Sequence, residues 1–89
     1  MPDYRIAFKP SAADGLRALP KKDQKRIAAR VDALAEDPFP SGAKKLSGKE
    51  NIYRVRTGDY RVIYEVRKNV LLILVLKIGH RKEVYRRIG

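Results

Sequence analysis

The chain has 89 residues and is strongly basic, with 21 Lys and Arg against 10 Asp and Glu and a formal net charge of +11. This length allows a single domain, residues 1–89, with a modest core. The absence of cysteine and the single histidine exclude disulfides, thiolate metal sites and most imidazole clusters, so no cofactor is predicted. The longest apolar run, residues 70–76, is too short to cross a bilayer, and the N-terminal residues lack the apolar stretch of a signal peptide. We therefore expect a cytoplasmic protein.

A strand and a short helix are predicted at the start of the chain. Apolar residues alternate with others over residues 4–8, which is the period of a half-buried strand. Ser11, followed three residues later by Asp14, predicts the N-cap of a helix over residues 12–19. Pro20 ends this helix and can occupy the first turn of the next one.

A second helix is predicted from the spacing of its apolar residues. Ile27, Val31 and Leu34 recur at i, i+4 and i+7, which places them on one helical face. Pro38 disfavours helical geometry at the residue before it, Asp37, so the helix is predicted to end near this proline. We expect the two helices to form an antiparallel pair. The basic residues of the second helix are assigned to solubility and to long-range attraction of a polyanion: Lys22, Lys25, Arg26 and Arg30.

A basic loop is predicted over residues 39–50. This segment is rich in Pro, Ser, Gly and Lys and has no hydrophobic period. Its lysines Lys44, Lys45 and Lys49 are candidate RNA-binding residues.

Three antiparallel strands in a meander are predicted over residues 52–56, 60–66 and 70–78. The third is apolar on both faces, as expected of a central strand covered on each side or of one partly covered by the C-terminal segment. Gly79 ends this strand, and residues 82–88 are predicted to form a short helix. The predicted fold class is therefore α+β, with an N-terminal strand, a helical hairpin, a three-strand antiparallel meander and a short C-terminal helix.

The strand-rich half of the chain carries most of the excess charge. Residues 51–89 contain ten basic residues, seven of them arginine, against three acids. Arginine keeps its charge and has a planar fork that suits phosphate better than the point charge of lysine. A sheet that bears aligned arginines indicates a polyanionic partner, which favours nucleic acid.

The Gly-Asp pair at residues 58–59 predicts the register of the first two strands of the meander. A two-residue hairpin loop at this pair places Arg56 opposite Arg61, with Arg54 on the same face. Like charges directly opposite each other destabilise a sheet by about 0.2–1 kcal/mol, and a bound phosphate would remove that repulsion. The alternative is a solvated charged face in which Glu65 is a local partner.

Three residues near the C-terminus add groups that suit a phosphodiester. His80, Arg81 and Tyr85 bring an imidazole, a guanidinium and a phenol to the end of the last strand. A guanidinium can neutralise charge on phosphoryl oxygens, and a His or Tyr can move protons or stack on a base. Alternatively, Tyr85 is a core aromatic and His80 a capping or hydrogen-bonded residue.

Four segments carry a family resemblance: KLSG at residues 45–48, YRVR at 53–56, GDYRVIY at 58–64 and IGHRKEVY at 78–85. With the predicted strand and helical hairpin, they cover nearly the whole chain. The chain thereby resembles the RelE/ParE superfamily of bacterial toxin-antitoxin toxins, and the RelE-like branch is favoured. The resemblance implies a curved antiparallel sheet packed against the helical hairpin.

In the RelE branch, the resemblance implies a toxin that enters the ribosome and cleaves mRNA by attack of a ribose 2′-oxygen, without a metal ion. It also implies a cognate acidic, RelB-like antitoxin that holds the toxin inactive. The family's basic strand residues match Arg54 and Arg56, and its sheet arginine matches Arg61. Its post-strand arginine matches Arg81 and its C-terminal tyrosine matches Tyr85. The implied roles are phosphorane stabilisation by Arg61 and Arg81, phosphate positioning by Arg56, and base stacking or proton transfer by Tyr85.

Two departures from the family pattern concern the proton-transfer step and phosphate binding. Members with well-defined ribonuclease activity often have lysines where this chain has Arg54 and Arg56, and arginine cannot lose its proton. Arg54 is therefore a poor general base, and His80 is the reserve proton shuttle. Ser47 replaces a loop arginine of some members, which removes one phosphate contact.

Two other functions are compatible with the same sequence. A ParE-like toxin would inhibit DNA gyrase by protein binding, using its helical hairpin or C-terminal segment, and would need no catalytic groups. A toxin fold without activity could persist as a basic binding module. Retention of Arg61, Arg81 and Tyr85 together favours the ribonuclease.

Overall fold

The computed structural model describes residues 3–80 and confirms the α+β class. Within that range, two helices pack against a five-stranded sheet. The predicted helix over residues 82–88 lies outside the described residues. No helix between residues 3 and 80 is both long and apolar enough to cross a membrane. In chain order the elements are β1 (Arg5–Phe8), α1 (Pro10–Arg17), α2 (Lys21–Leu34), β2 (Lys44–Lys45), β3 (Ile52–Thr57), β4 (Tyr60–Arg67) and β5 (Leu72–His80).

The sheet has the strand order β1-β5-β4-β3-β2. β3, β4 and β5 form the predicted antiparallel meander. β1 pairs in parallel with β5, with Arg5 opposite Leu72. This pairing places β5 between β1 and β4, which confirms the central position expected from its apolar sequence.

The hairpin between β3 and β4 has the predicted register. Thr57 pairs with Tyr60 across the two-residue turn, and Arg56 lies opposite Arg61. Gly58 has a φ of 61°. A positive φ at the first turn position alone is the pattern of a type II′ turn, in which glycine avoids the strain that a side chain would bring.

A β-bulge interrupts the pairing of β4 with β5. Ile63 pairs with Lys77 and Tyr64 with Val75, so Leu76 is an extra residue on β5. Because of it, Val75 and Ile78 both belong to the helix-side core although they are three positions apart. Lys77 lies opposite Ile63, on the face of the sheet that points away from the helices.

The core lies between the two helices and one face of the sheet, with α1 on β5 and α2 against β3. Gly15 allows α1 to approach β5 closely, since a Cβ there would lie 2.2 Å from the Ile78 carbonyl oxygen. The hydroxyl of the buried Tyr64 donates a 2.7 Å hydrogen bond to the Pro38 carbonyl and so anchors the segment after α2. The buried residues of this core are Ala12, Ile27, Val31, Leu34, Val55, Val62, Tyr64, Val66, Ile73, Val75 and Ile78.

The predicted N-cap of the first helix is wrong. α1 begins at Pro10 with Lys9 in the N-cap position, and Ser11 lies inside the first turn. Proline is favoured there because its missing N–H would have no helical acceptor. The Ser11 hydroxyl instead donates a 2.9 Å hydrogen bond to the Leu76 carbonyl of β5. Ser11 thus connects the helix to the sheet.

Several predicted boundaries also shift. α1 ends at Arg17, and the Gln24 side chain donates a 2.7 Å hydrogen bond to the Leu19 carbonyl in the turn that follows. Pro20 is the N-cap of α2 rather than a residue of its first turn. The basic loop is interrupted by β2, and β5 continues through Gly79 instead of ending at it.

Candidate nucleic-acid interface

Four basic residues lie together on the face of the sheet that points away from the helices. Arg56 of β3 lies opposite Arg61 of β4, and Arg54 of β3 lies opposite Lys44 of β2. Val55, between the two β3 arginines, is buried in the helix-side core, so the arginines lie on the other face. We call Lys44, Arg54, Arg56 and Arg61 the basic cluster.

The basic cluster and Gly42 line an open depression of about 410 Å³. A second depression, lined in part by residues 45–47, shares Arg54 and Arg61 with the first. A third is lined by residues 45–50 and includes Lys49. Of the three predicted RNA-binding lysines, Lys44 and Lys45 share a depression with strand arginines and lie on β2 rather than in a loop, whereas Lys49 lines only the third depression.

Within the described residues, the acid expected from the sequence does not neutralise Arg54 or Arg56. Glu65 forms an ion pair with Arg67 at 3.2 Å and is not paired with Arg54 or Arg56. Across residues 3–80, neither Arg54 nor Arg56 forms an ion pair. Arg61 is half-buried, and its Nε atom is fully buried, which restricts its guanidinium group to a defined position. The cluster therefore combines opposed basic residues with one arginine, Arg61, whose Nε atom is buried.

His80 lies on the other side of the sheet from the basic cluster. It pairs with Tyr60, and the two rings meet edge to face with their centroids 6.3 Å apart. The Tyr60 hydroxyl donates a 3.2 Å hydrogen bond to Asp23 of α2, which places this pair on the helix side. Burial, and then the Asp23 carboxylate, raise the pKa of Tyr60. Arg81 and Tyr85 lie outside the described residues.

Two features of the site escaped the sequence prediction. The pairing of Lys44 with Arg54 depends on β2, a strand of two residues that is too short to show a period. Lys77 lies on the cluster's face because of the bulge at Leu76, and the continuous apolar run around that residue conceals the shift in alternation. Gly42, before β2, has a positive φ of 123°, a conformation that favours glycine.

The basic cluster can bind and neutralise a phosphodiester, but its arginines cannot remove a proton. Guanidinium groups remain charged at any pH compatible with folding and can donate paired hydrogen bonds to phosphate oxygens. A reaction that starts by deprotonating a ribose hydroxyl would need a general base in addition to Arg54, Arg56 and Arg61.

Comparison with known proteins identifies the class of protein that carries this fold. A family model described as the ParE toxin of the parDE type II toxin-antitoxin system matches residues 3–85. The putative toxin RelE1 of Methanocaldococcus jannaschii is 32% identical over 74 residues, which cover 80% of this chain and 82% of the relative. A chain of the archaeal RelE–RelB complex from Pyrococcus horikoshii superposes with a TM-score of 0.79 at 33% identity, covering 92% of this chain and 99% of that one. The isolated RelE toxin of Escherichia coli, at 24% identity and a TM-score of 0.78, shares the fold.

The chain belongs to the RelE/ParE superfamily and is a toxin of a type II toxin-antitoxin system. Its named relatives place it with the RelE toxins: the Toxin RelE of Mycobacterium tuberculosis is 29% identical over 93% of this chain and 87% of the relative.

Proposed function

We propose that this toxin is a ribosome-dependent endoribonuclease that cleaves mRNA. The basic cluster is the observation that carries the proposal, because Arg56 and Arg61 lie opposite each other and Arg56 has no carboxylate partner within residues 3–80. Directly opposed like charges destabilise a sheet, and an anion bound at this face would reduce the repulsion. The adjoining basic depressions favour an extended polyanion over an isolated phosphate.

In the proposed reaction, a ribose 2′-hydroxyl loses its proton and its oxygen attacks the adjacent phosphorus. The bond between phosphorus and the 5′-oxygen breaks, and that oxygen takes up a proton. The products are a 2′,3′-cyclic phosphate and a 5′-hydroxyl. Arg61 and Arg81 neutralise the charge that develops on the phosphoryl oxygens. Arg54 and Arg56 position the phosphate, and the resemblance to the RelE branch implies that no metal ion takes part.

The proton-transfer steps are assigned to the C-terminal segment. Arg54 is unsuitable as a general base because a guanidinium group does not lose its proton in proteins. Tyr85 is the proposed residue for base stacking or proton transfer. His80 is second to it, since His80 contacts Tyr60 on the helix side of the sheet.

The proposed partner that holds the toxin inactive is a cognate acidic antitoxin of the RelB kind. The solved relative from Pyrococcus horikoshii is a RelE–RelB complex. A net charge of +11 favours an acidic, amphipathic segment that covers the basic cluster.

Expression of the toxin in cells, followed by mapping of new mRNA 5′ ends, tests the ribonuclease proposal. We expect cuts inside translated codons in the wild type, and Arg61→Gln should reduce cleavage by about 100-fold or more. Arg67→Gln is the matched control, because Arg67 lies on the same strand and is paired with Glu65 outside the basic cluster. Intact mRNA, or equal cleavage by the Arg61 variant and the wild type, would contradict the proposal.

A second candidate is inhibition of DNA gyrase through protein binding, and the match to the ParE family model favours it. This function would leave mRNA intact and produce DNA breaks. It would also be insensitive to Arg61→Gln as long as the variant folds. The same expression experiment therefore separates the two functions.

A further inference from the structure

Arg30 of α2 lies at the margin of the basic cluster. A Cβ placed on Gly42 would lie 3.7 Å from a terminal nitrogen of the Arg30 guanidinium. Gly42 also lines the depression formed by the basic cluster. The loop before β2 therefore places Arg30 of α2 next to the basic cluster, although the cluster lies on the face of the sheet that points away from the helices.

Among the described residues, Arg30 has no carboxylate partner, unlike its neighbour Arg26 on the helix. Arg26, one turn earlier, pairs with Asp23 at 3.7 Å. Arg30 forms no ion pair with any residue between 3 and 80. It is half-buried, so part of its side-chain entropy is already lost in the free protein. Arg54 shares these properties, since it is also half-buried and forms no ion pair within residues 3–80.

We propose that the RNA-binding surface continues from the basic cluster around the β2 edge of the sheet to Arg30 on α2. This inference rests on the proposed function, since it assigns a second part of the path of the same RNA. A strand bound at the cluster would pass Lys44 and Gly42 and place a further phosphate at Arg30. The contact of Arg30 is to the RNA backbone and does not depend on the base sequence of the RNA.

The position of Arg30 also separates it from the other cations of α2. Lys22 and Lys25 are exposed lysines near the start of the helix, and they fit general solubility. Arg30 is held beside the entry to β2, on the path that leads to Arg54. A long-range electrostatic role would make all these cations equivalent, whereas a phosphate contact singles out Arg30.

The salt dependence of RNA binding tests this inference. The probe is a short single-stranded 2′-O-methyl RNA, which can be bound but cannot be cleaved by 2′-oxygen attack. Each lost phosphate contact lowers the slope of log K against log salt by about 0.7 for a single strand. We expect a loss of about 0.7 for Arg30→Gln and for Arg56→Gln, and an unchanged slope for Arg30→Lys.

Arg5→Gln is the matched control. Arg5 is an exposed arginine without an ion pair within residues 3–80, and it lies on β1, the edge strand opposite β2. Its removal should leave the slope unchanged. Equal slopes for the Arg5 and Arg30 variants would overturn the extension to α2, while an effect of Arg56→Gln would still support the basic cluster. An unchanged slope for Arg56→Gln would overturn the RNA site itself, and with it the extension.

Footprinting of the wild-type protein provides a test that needs no substitution. Labelling by an arginine-specific dicarbonyl, read by mass spectrometry, should show that the RNA protects Arg30 and Arg54 and leaves Arg5 reactive. Protection of Arg54 without Arg30 would limit the RNA to the basic cluster and overturn the extension.

Discussion

Arg56 lies directly opposite Arg61 in the antiparallel pairing of β3 with β4, and Lys44 lies opposite Arg54 on the other side of β3. The strand β3 therefore takes part in two like-charge cross-strand pairs on one face. Folding gains nothing from either pair, because directly opposed like charges destabilise a sheet. Their joint presence is accounted for if the face binds an anion.

Removal of one charge should stabilise the free protein. Arg56→Gln is expected to raise the free energy of unfolding by about 0.2–1 kcal/mol at low salt. The gain should shrink as salt screens the repulsion. Chemical denaturation of the antitoxin-free toxin measures it. Arg67→Gln, which removes an exposed ion pair instead, should be neutral or slightly destabilising. A larger loss of stability for Arg56→Gln than for Arg67→Gln would contradict the repulsion.

Gly15→Ala should destabilise the protein although alanine favours helix by about 1 kcal/mol. The new Cβ would lie 2.2 Å from the Ile78 carbonyl oxygen, so α1 must move away from β5. Overpacking of this kind costs about 1–3 kcal/mol, which thermal unfolding can measure. Gly48→Ala is the comparison, because Gly48 has a φ of 75° and open space around it, so only backbone strain is added. A more stable Gly15 variant would mean that the helix is not in close contact with the strand.

The Tyr64 hydroxyl should make stability fall steeply in alkaline solution. Burial raises the pKa of Tyr64 to about 12, from 10.0 for an ordinary tyrosine, and the nearby Arg30 charge opposes the rise. Between these two pH values the unfolded chain releases the proton that the folded protein keeps. Stability present below pH 10 should therefore be lost at about 1.4 kcal/mol per pH unit as the pH rises towards 12.

Tyr64→Phe should remove this part of the alkaline slope. At neutral pH it should also destabilise the protein by about 1–3 kcal/mol, because the buried Pro38 carbonyl loses its donor. Urea denaturation at a series of pH values measures both effects. An unchanged alkaline slope in the variant would show that Tyr64 ionises normally in the folded state.

His80→Gln should reduce RNA cleavage much less than Arg61→Gln does. His80 contacts Tyr60 on the helix side, whereas Arg61 lies in the basic cluster. Loss of a general acid or base costs about 100-fold or more, and we expect an effect well below that. Single-turnover cleavage of ribosome-bound mRNA measures the two rates. Similar losses for both variants would assign His80 to the proton-transfer steps.

The hairpin of β3 and β4 was predictable because its geometry is local. A Gly-Asp turn fixes the register of the two strands it joins, and the pairing of Arg56 with Arg61 follows from it. The parallel pairing of β1 with β5 was not predictable, since no turn joins those strands. Periodicity identifies a strand but not the partner that it finds across the chain.

The orientation of residues near the end of β5 could not be predicted from the sequence for another reason. Val75 and Ile78 both face the core because Leu76 is an extra residue, and strict alternation would have placed Lys77 there. A run that is apolar on both faces gives no sign of such a bulge. Strict alternation would also have placed His80 on the face of the basic cluster, whereas the bulge places it on the helix side.

The pairing of β1 with β5 has a consequence for how the chain acquires its structure. β1 can join the sheet only after β5 has been made, because Arg5 pairs with Leu72 and α1 packs on β5 through Gly15. Contacts between such distant segments slow folding, since the chain must close a long loop before they form. During synthesis, the apolar side of α1 remains uncovered until β5 has been made. The β3–β4 hairpin needs only its own residues, so the pair of opposed arginines can form before the sheet that supports it is complete.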